Sequence, residues 1–158
     1  MFKKLLSTRS LCVSAVIAAL YAALTMLLRP ISFGSVQLRI SESLTLLPVL
    51  MPQAIPGLFV GCLIANLFSP VGVLDIIFGS LATLIAACGT WYFRRMPILA
   101  AACPVVANGV IIGLLVQSTS NWPLPLTMCV IALEEAVSVA LGFALIAALK
   151  RIDLSKLI

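Results

Sequence analysis

Glu134 and Glu135 stand side by side ten residues into the apolar run 124–149, roughly 15 Å along a helix that rises 1.5 Å per residue. A carboxylate placed that deep costs on the order of 2.5–3.5 kcal/mol to insert, so it is retained for a proton, an interhelical partner or a ligand. A carboxylate accepts two parallel N–H groups, as offered by the edge of a guanine-like base, and an asparagine adds mixed donor and acceptor pairing. Glu134, Asn108 and Asp75 are the candidates for that chemistry. On a helical wheel Glu134 shares a face with Thr127, Ile131, Ser138 and Leu141, while Glu135 lies with Met128, Ala132, Val139 and Gly142, which favours Glu134 as the pocket-lining acid.

The densest polar interruption is residues 32–42, which bring Phe33, Gln37, Arg39 and Glu42 into a chain that is 63% apolar and 9% charged. Aromatic faces beside acceptors suit a flat heterocycle, and Phe33, Phe68 and Trp122 fall near the same end of the expected bundle; an interfacial aromatic belt accounts for Trp122 equally well. Asp75 opens a helix whose dipole stabilises a carboxylate, so capping and ligand contact both remain open for it. Asn66 and Asn108 sit inside apolar helices, where an amide serves interhelical bonding or ligand contact.

These residues must be positioned by membrane helices. With 158 residues and a mean hydropathy of +1.24, the chain has too little polar surface for a soluble fold. The fold class expected is an all-α integral membrane protein, a six-transmembrane-helix bundle in one domain over 1–158, with spans near 11–28, 42–51, 57–68, 73–93, 98–116 and 124–149. The second is short and interrupted by Pro48; Ser41 is a candidate cap for it. The first apolar run is read as a retained helix, since no soluble domain follows it. Lys3, Lys4, Arg9, Arg94, Arg95, Lys150, Arg151 and Lys156 then fall on one side and Arg29 and Arg39 on the other, which puts both termini in the cytoplasm of a multi-pass plasma-membrane protein. The net charge of +5 thus reports orientation rather than a nucleic-acid partner.

Several function classes fall away. The chain has no histidine and no Gly-Lys-Ser/Thr phosphate loop, and its five cysteines, read as small core residues, have no metal-ligand spacing. A membrane enzyme using the glutamates as acid and base would lack a nucleophile and a metal set. A small oligomeric transporter driven by protonation of Glu134 is the rival from another class. Small residues form two stripes, Ala15, Ala19 and Ala23 beside Ser14, Ala18 and Ala22 on the first helix, and Gly57, Gly61 and Ala65 on the third; such spacing permits close helix packing within the chain, or, on the first helix, docking of another membrane subunit.

The run Ile31-Ser32-Phe33-Gly34-Ser35-Val36-Gln37-Leu38-Arg39-Ile40-Ser41-Glu42, followed by Leu47-Pro48, Ala54-Ile55-Pro56-Gly57-Leu58-Phe59-Val60-Gly61-Cys62-Leu63-Ile64-Ala65-Asn66 and Leu74-Asp75-Ile76-Ile77-Phe78-Gly79-Ser80-Leu81-Ala82-Thr83, resembles the queuosine-precursor transporter (QueT) family. The resemblance implies a substrate-binding (S) component of an energy-coupling factor importer for queuine or a related 7-deazaguanine base, with another vitamin as the alternative cargo. It implies a pocket near the outer face, partly covered by the loop 30–41, and partners in a transmembrane coupling protein and two ATPases. ATP would be used by those ATPases, with no cofactor in this chain. The stripe Ala15, Ala19 and Ala23 resembles the surface by which S components dock. Carried onto this sequence, Glu134 or Glu135, with Asn108, reads the base edge while Phe33 and Gln37 close over it; Arg39 and Glu42 fix the loop by a mutual pair.

Overall fold

In a computed structural model of the chain, residues 7–33, 38–119 and 122–151 are described. All regular structure among them is helical. Helix α1, Thr8–Leu27, starts where the Ser7 side chain accepts from the Ser10 backbone N–H at 3.3 Å. It stops before a single turn, α2, Arg29–Ser32, with Pro30 in its first positions, where a missing N–H is harmless. Helix α3, Ile40–Val49, is wound as a 3-10 helix and contains Pro48. Helix α4 covers Ala54–Asn66. Helix α5, Asp75–Tyr92, opens with a wider π turn, Asp75–Gly79, before continuing as an α-helix. The last two are α6, Pro97–Thr119, and α7, Leu124–Leu149.

Four of these, α1, α5, α6 and α7, are long and apolar enough to cross a membrane. Of the six expected spans, only these four reach that length; α3, expected to be short, and α4 have only 10 and 13 residues. At 2.0 Å per residue for a 3-10 helix and 1.5 Å for an α-helix, each reaches about 20 Å, short of the roughly 30 Å hydrocarbon core.

Helix α3 runs through the middle of the bundle. It packs against α1, α4, α5, α6 and α7, and its residues Ser41 to Pro48 are all buried, a pattern that only a helix enclosed on every side can show. Ser41 lies inside this helix rather than capping it: the N-cap is Arg39, and the Ser41 hydroxyl meets that of Thr25 on α1 at 2.7 Å. One apolar cluster joins Ile17 and Tyr21 of α1 to Leu44 and Leu47 of α3 and Leu58 of α4. A second joins Leu46 to Val139 and Ile146 of α7, and a third joins Ala82, Ile112 and Ile131 across α5, α6 and α7.

Close backbone approach sets the α1–α4 contact. A Cβ on Gly57 would come within 2.6 Å of the Ser14 carbonyl oxygen, and one on Gly61 within 2.8 Å of that of Ala18. The Ser14/Ala18 face of α1 therefore packs inside the chain, while Ala15, Ala19 and Ala23 point outward and are exposed.

The overall burial pattern is inverted relative to a soluble protein. Glu42, Asn66, Asp75, Thr83 and Asn108 are inside, whereas Val16, Leu20, Ile85, Val106, Leu133 and Val137 face outward. Only apolar surroundings reward that arrangement. Of the cysteines, Cys62 alone is fully buried, whereas Cys12, Cys88 and Cys129 are exposed and Cys103 is partly so. A thiol is apolar enough to sit on an oily exterior, which is why the expectation of core positions fails for them.

Candidate functional site

The enclosed α3 supplies the first acid. Glu42 is 2% exposed, and its Oε1 accepts a hydrogen bond from the hydroxyl of Tyr21 on α1, itself fully buried. The Thr83 hydroxyl of α5 lies 3.2 Å from the same oxygen and 3.1 Å from the Gly79 carbonyl oxygen of its own helix. Thr83 is also 3.2 Å from the Cys62 sulfur, so α4 closes the back of this corner. Both hydroxyl groups are neutral donors; neither supplies a counter-charge.

The positive charge comes from Arg39, which precedes α3 and is nevertheless buried. Its Nη2 donates to Asp75 Oδ2 at 2.8 Å, a charge-assisted contact between the start of α3 and the π turn of α5. Arg39 therefore does not pair with Glu42 as the sequence suggested. The π turn delivers the Asp75 carboxylate to Arg39, whereas the Glu42 carboxylate turns toward α1. Nor does Asp75 cap its helix, since no side-chain capping bond forms there. Phe33 completes this corner, with the Arg39 guanidinium 5.3 Å from its ring centroid, a cation–π distance. The Ser138 hydroxyl of α7 donates to the Arg39 carbonyl oxygen at 3.0 Å and so fastens the entry to α3 against α7.

The remaining acids come from α7. Glu134 and Glu135 are both buried, along with Thr127, Ile131, Ser138, Val139, Gly142 and Ile146. The buried sector of α7 is thus wide enough for two adjacent residues, because α6 packs on one side of it and α3 on the other. That corrects the choice of a single pocket-lining glutamate, and Leu141, grouped with Glu134 by periodicity, is instead exposed. Asn108 of α6 faces both the Glu42 and the Glu135 carboxylates.

These groups meet at one cavity of about 20 Å³, with Arg39, Glu42, Asn108, Glu134 and Glu135 as its polar lining and Ile112 and Ile131 as its apolar wall. The Glu42 Oε2 and Glu135 Oε1 atoms are buried and have no hydrogen-bond partner among the described residues. The volume admits about one water, against roughly 300–1,000 Å³ for a small-molecule site, so a planar solute enters only when the surrounding helices part.

Five of the nine residues expected to contact a solute, Arg39, Glu42, Asn108, Glu134 and Glu135, therefore line this cavity. Phe33 and Asp75 stand behind Arg39. Asn66 lies further back, its Nδ2 donating to the Asp75 carbonyl oxygen at 2.9 Å. Gln37 lies outside the described residues. Sequence reasoning passed over Tyr21 and Thr83, which touch Glu42, and Cys62, which lies behind Thr83. The available signal was a tyrosine in the middle of the first apolar run, since a buried phenol requires a hydrogen-bond partner.

The QueT transporter family model matches residues 11–151. The queuosine precursor transporter QueT of Lactococcus lactis subsp. cremoris (strain MG1363) is 39% identical over 84 residues, which cover 51% of this chain and 49% of that protein. The chain thus spans about half the length of the curated relative it matches. No solved structure matches the chain.

Proposed function

Because the chain belongs to the QueT transporter family, we propose that it is the substrate-binding component of an importer for a queuosine precursor, queuine or a related 7-deazaguanine base. The observation that carries this reading is the convergence of Glu42, Asn108, Glu134 and Glu135, from three separate helices, on one cavity inside an apolar bundle. A carboxylate there accepts the paired N–H groups of a guanine-like edge, the neighbouring amide supplies a complementary donor and acceptor, and the helices exclude water that would compete for them.

In this reading α3 and α4 complete six crossings as short segments, with both termini in the cytoplasm. A transmembrane coupling protein and two ATPases supply the ATP hydrolysis for which the chain has no phosphate loop. The exposed stripe Ala15, Ala19 and Ala23 is the face offered to the coupling protein, and it is supported by the packing of the opposite face of α1 onto α4. Transport is then a reorientation of the loaded bundle.

The test is titration of the purified chain in detergent with 7-deazaguanine bases, following the fluorescence of Trp122 and Trp91. Saturable binding of a deazaguanine, weakened by Glu134→Gln or Glu135→Gln, is expected. A flat response to every deazaguanine, with saturable binding of an unrelated vitamin, would refute the cargo and leave the receptor role standing.

A further inference from the structure

Helices α5 and α6 pack against each other and leave between them a groove of about 340 Å³, open to the outside of the bundle. Its depth comes from small side chains: Gly89, Ala102 and Cys103 form the floor, and a Cβ on Gly89 would stand 2.8 Å from the Cys103 sulfur. Ile85, Leu99 and Val106 are exposed and form the rims. Along α5 the groove runs from Ile85 to Phe93, about 12 Å at 1.5 Å per residue, close to the roughly 15 Å that one leaflet contributes to a 30 Å hydrocarbon core.

One end of this groove has the chemistry of a headgroup region. Trp91, Tyr92 and Phe93 follow one another where α5 stops, and tryptophan and tyrosine collect at the interface between membrane and water. The chain from Phe93 to Leu99 closes that end and carries Arg94 and Arg95, both exposed. Arg94 is held in place: its guanidinium lies 4.4 Å from the Trp91 ring centroid, and its Nη1 donates to the Trp91 carbonyl oxygen at 3.1 Å, using one of the five N–H donors of the group. A second groove of about 360 Å³, at the other end of the same two helices, supplies the contrast. Lined by Leu74, Phe78, Ile111 and Leu114, it adjoins the connection 117–123, which has no charged residue.

We propose that the groove ending at Arg94 and Arg95 is a binding site for an anionic phospholipid, with one acyl chain along the groove and the phosphate held by the two arginines. Planar guanidinium groups match phosphate oxygens with paired N–H donors. Two adjacent cations favour a headgroup of net negative charge over a zwitterionic one, whose own cation opposes them. The site lies apart from the polar cavity between α3, α6 and α7 and is independent of the solute bound there.

The experiment is native mass spectrometry of the full chain released from detergent micelles that contain equal amounts of phosphatidylglycerol and phosphatidylcholine with the same acyl chains. One phosphatidylglycerol is expected to stay bound, at least about tenfold in preference to phosphatidylcholine, as two arginines near a membrane surface provide. Arg94→Gln combined with Arg95→Gln is expected to abolish the preference, and Ala102→Leu, which raises the groove floor, to lower retention of both lipids. The wild-type comparison needs no variant, and the two arginines are exposed, so misfolding does not spoil the test. Equal retention of the two lipids by the wild-type chain overturns the proposal. A preference that survives loss of both arginines places the anionic lipid elsewhere and overturns this site. Retention unchanged by Ala102→Leu overturns the seat of the acyl chain. A dimer that forms without added lipid, persists with it and is broken by Ala102→Leu assigns the groove to a second copy of the chain and overturns the proposal.

Discussion

The hydroxyl of Tyr21, at the centre of α1, donates to the carboxylate of Glu42, in the enclosed α3. One face of α1 thus reaches the lining of the cavity, while the opposite face carries the exposed Ala15, Ala19 and Ala23.

Tyr21→Phe keeps the ring packing and removes that donor, leaving Glu42 with Thr83. A loss of about 1–3 kcal/mol in stability is expected, the range for stranding a buried acceptor. Equilibrium unfolding in detergent measures it; an unchanged midpoint would show that Glu42 does not depend on Tyr21.

The pair Arg39–Asp75 is buried on both sides. Removing one partner leaves an uncompensated charge, so Asp75→Leu or Arg39→Met alone is expected to cost about 3–5 kcal/mol. The double variant is expected to be less damaged than either single one. A double-mutant cycle on the unfolding midpoint decides this, and simple additivity would contradict the coupling.

At Gly142 a Cβ would stand 2.6 Å from the Ser43 carbonyl oxygen of α3. Gly142→Ala forces α3 and α7 apart, and a destabilisation of about 1–3 kcal/mol is expected, together with weakened solute binding because both helices line the cavity. Unfolding and titration of the same variant provide the check; native-like values in both would mean that the two backbones are free to separate.

Ala19→Leu changes only the exposed face of α1. Stability is expected to stay within about ±0.5 kcal/mol and solute binding to be retained, while uptake by cells that carry the partner subunits is lost. Uptake at the wild-type rate would remove this stripe as the docking face.

The sequence alone determined that the chain is oily and helical and that its few acids and amides repay attention. Breaks at Pro30 and Pro97 are local, because a proline lacks the N–H that a continuing helix needs, and so they can be read without a fold. The same holds for the long apolar runs that become α1, α6 and α7. Tertiary structure alone decided which charges meet. Arg39 and Glu42 are three residues apart in the chain, yet their partners, Asp75 and Tyr21, come from different helices. Periodicity split Glu134 from Glu135, but packing by α6 and α3 widened the buried sector of α7 to include both. The size of the cavity was likewise outside the reach of sequence, because it is the small space left between α3, α6 and α7, whose angles and separations are set by contacts distant in the chain.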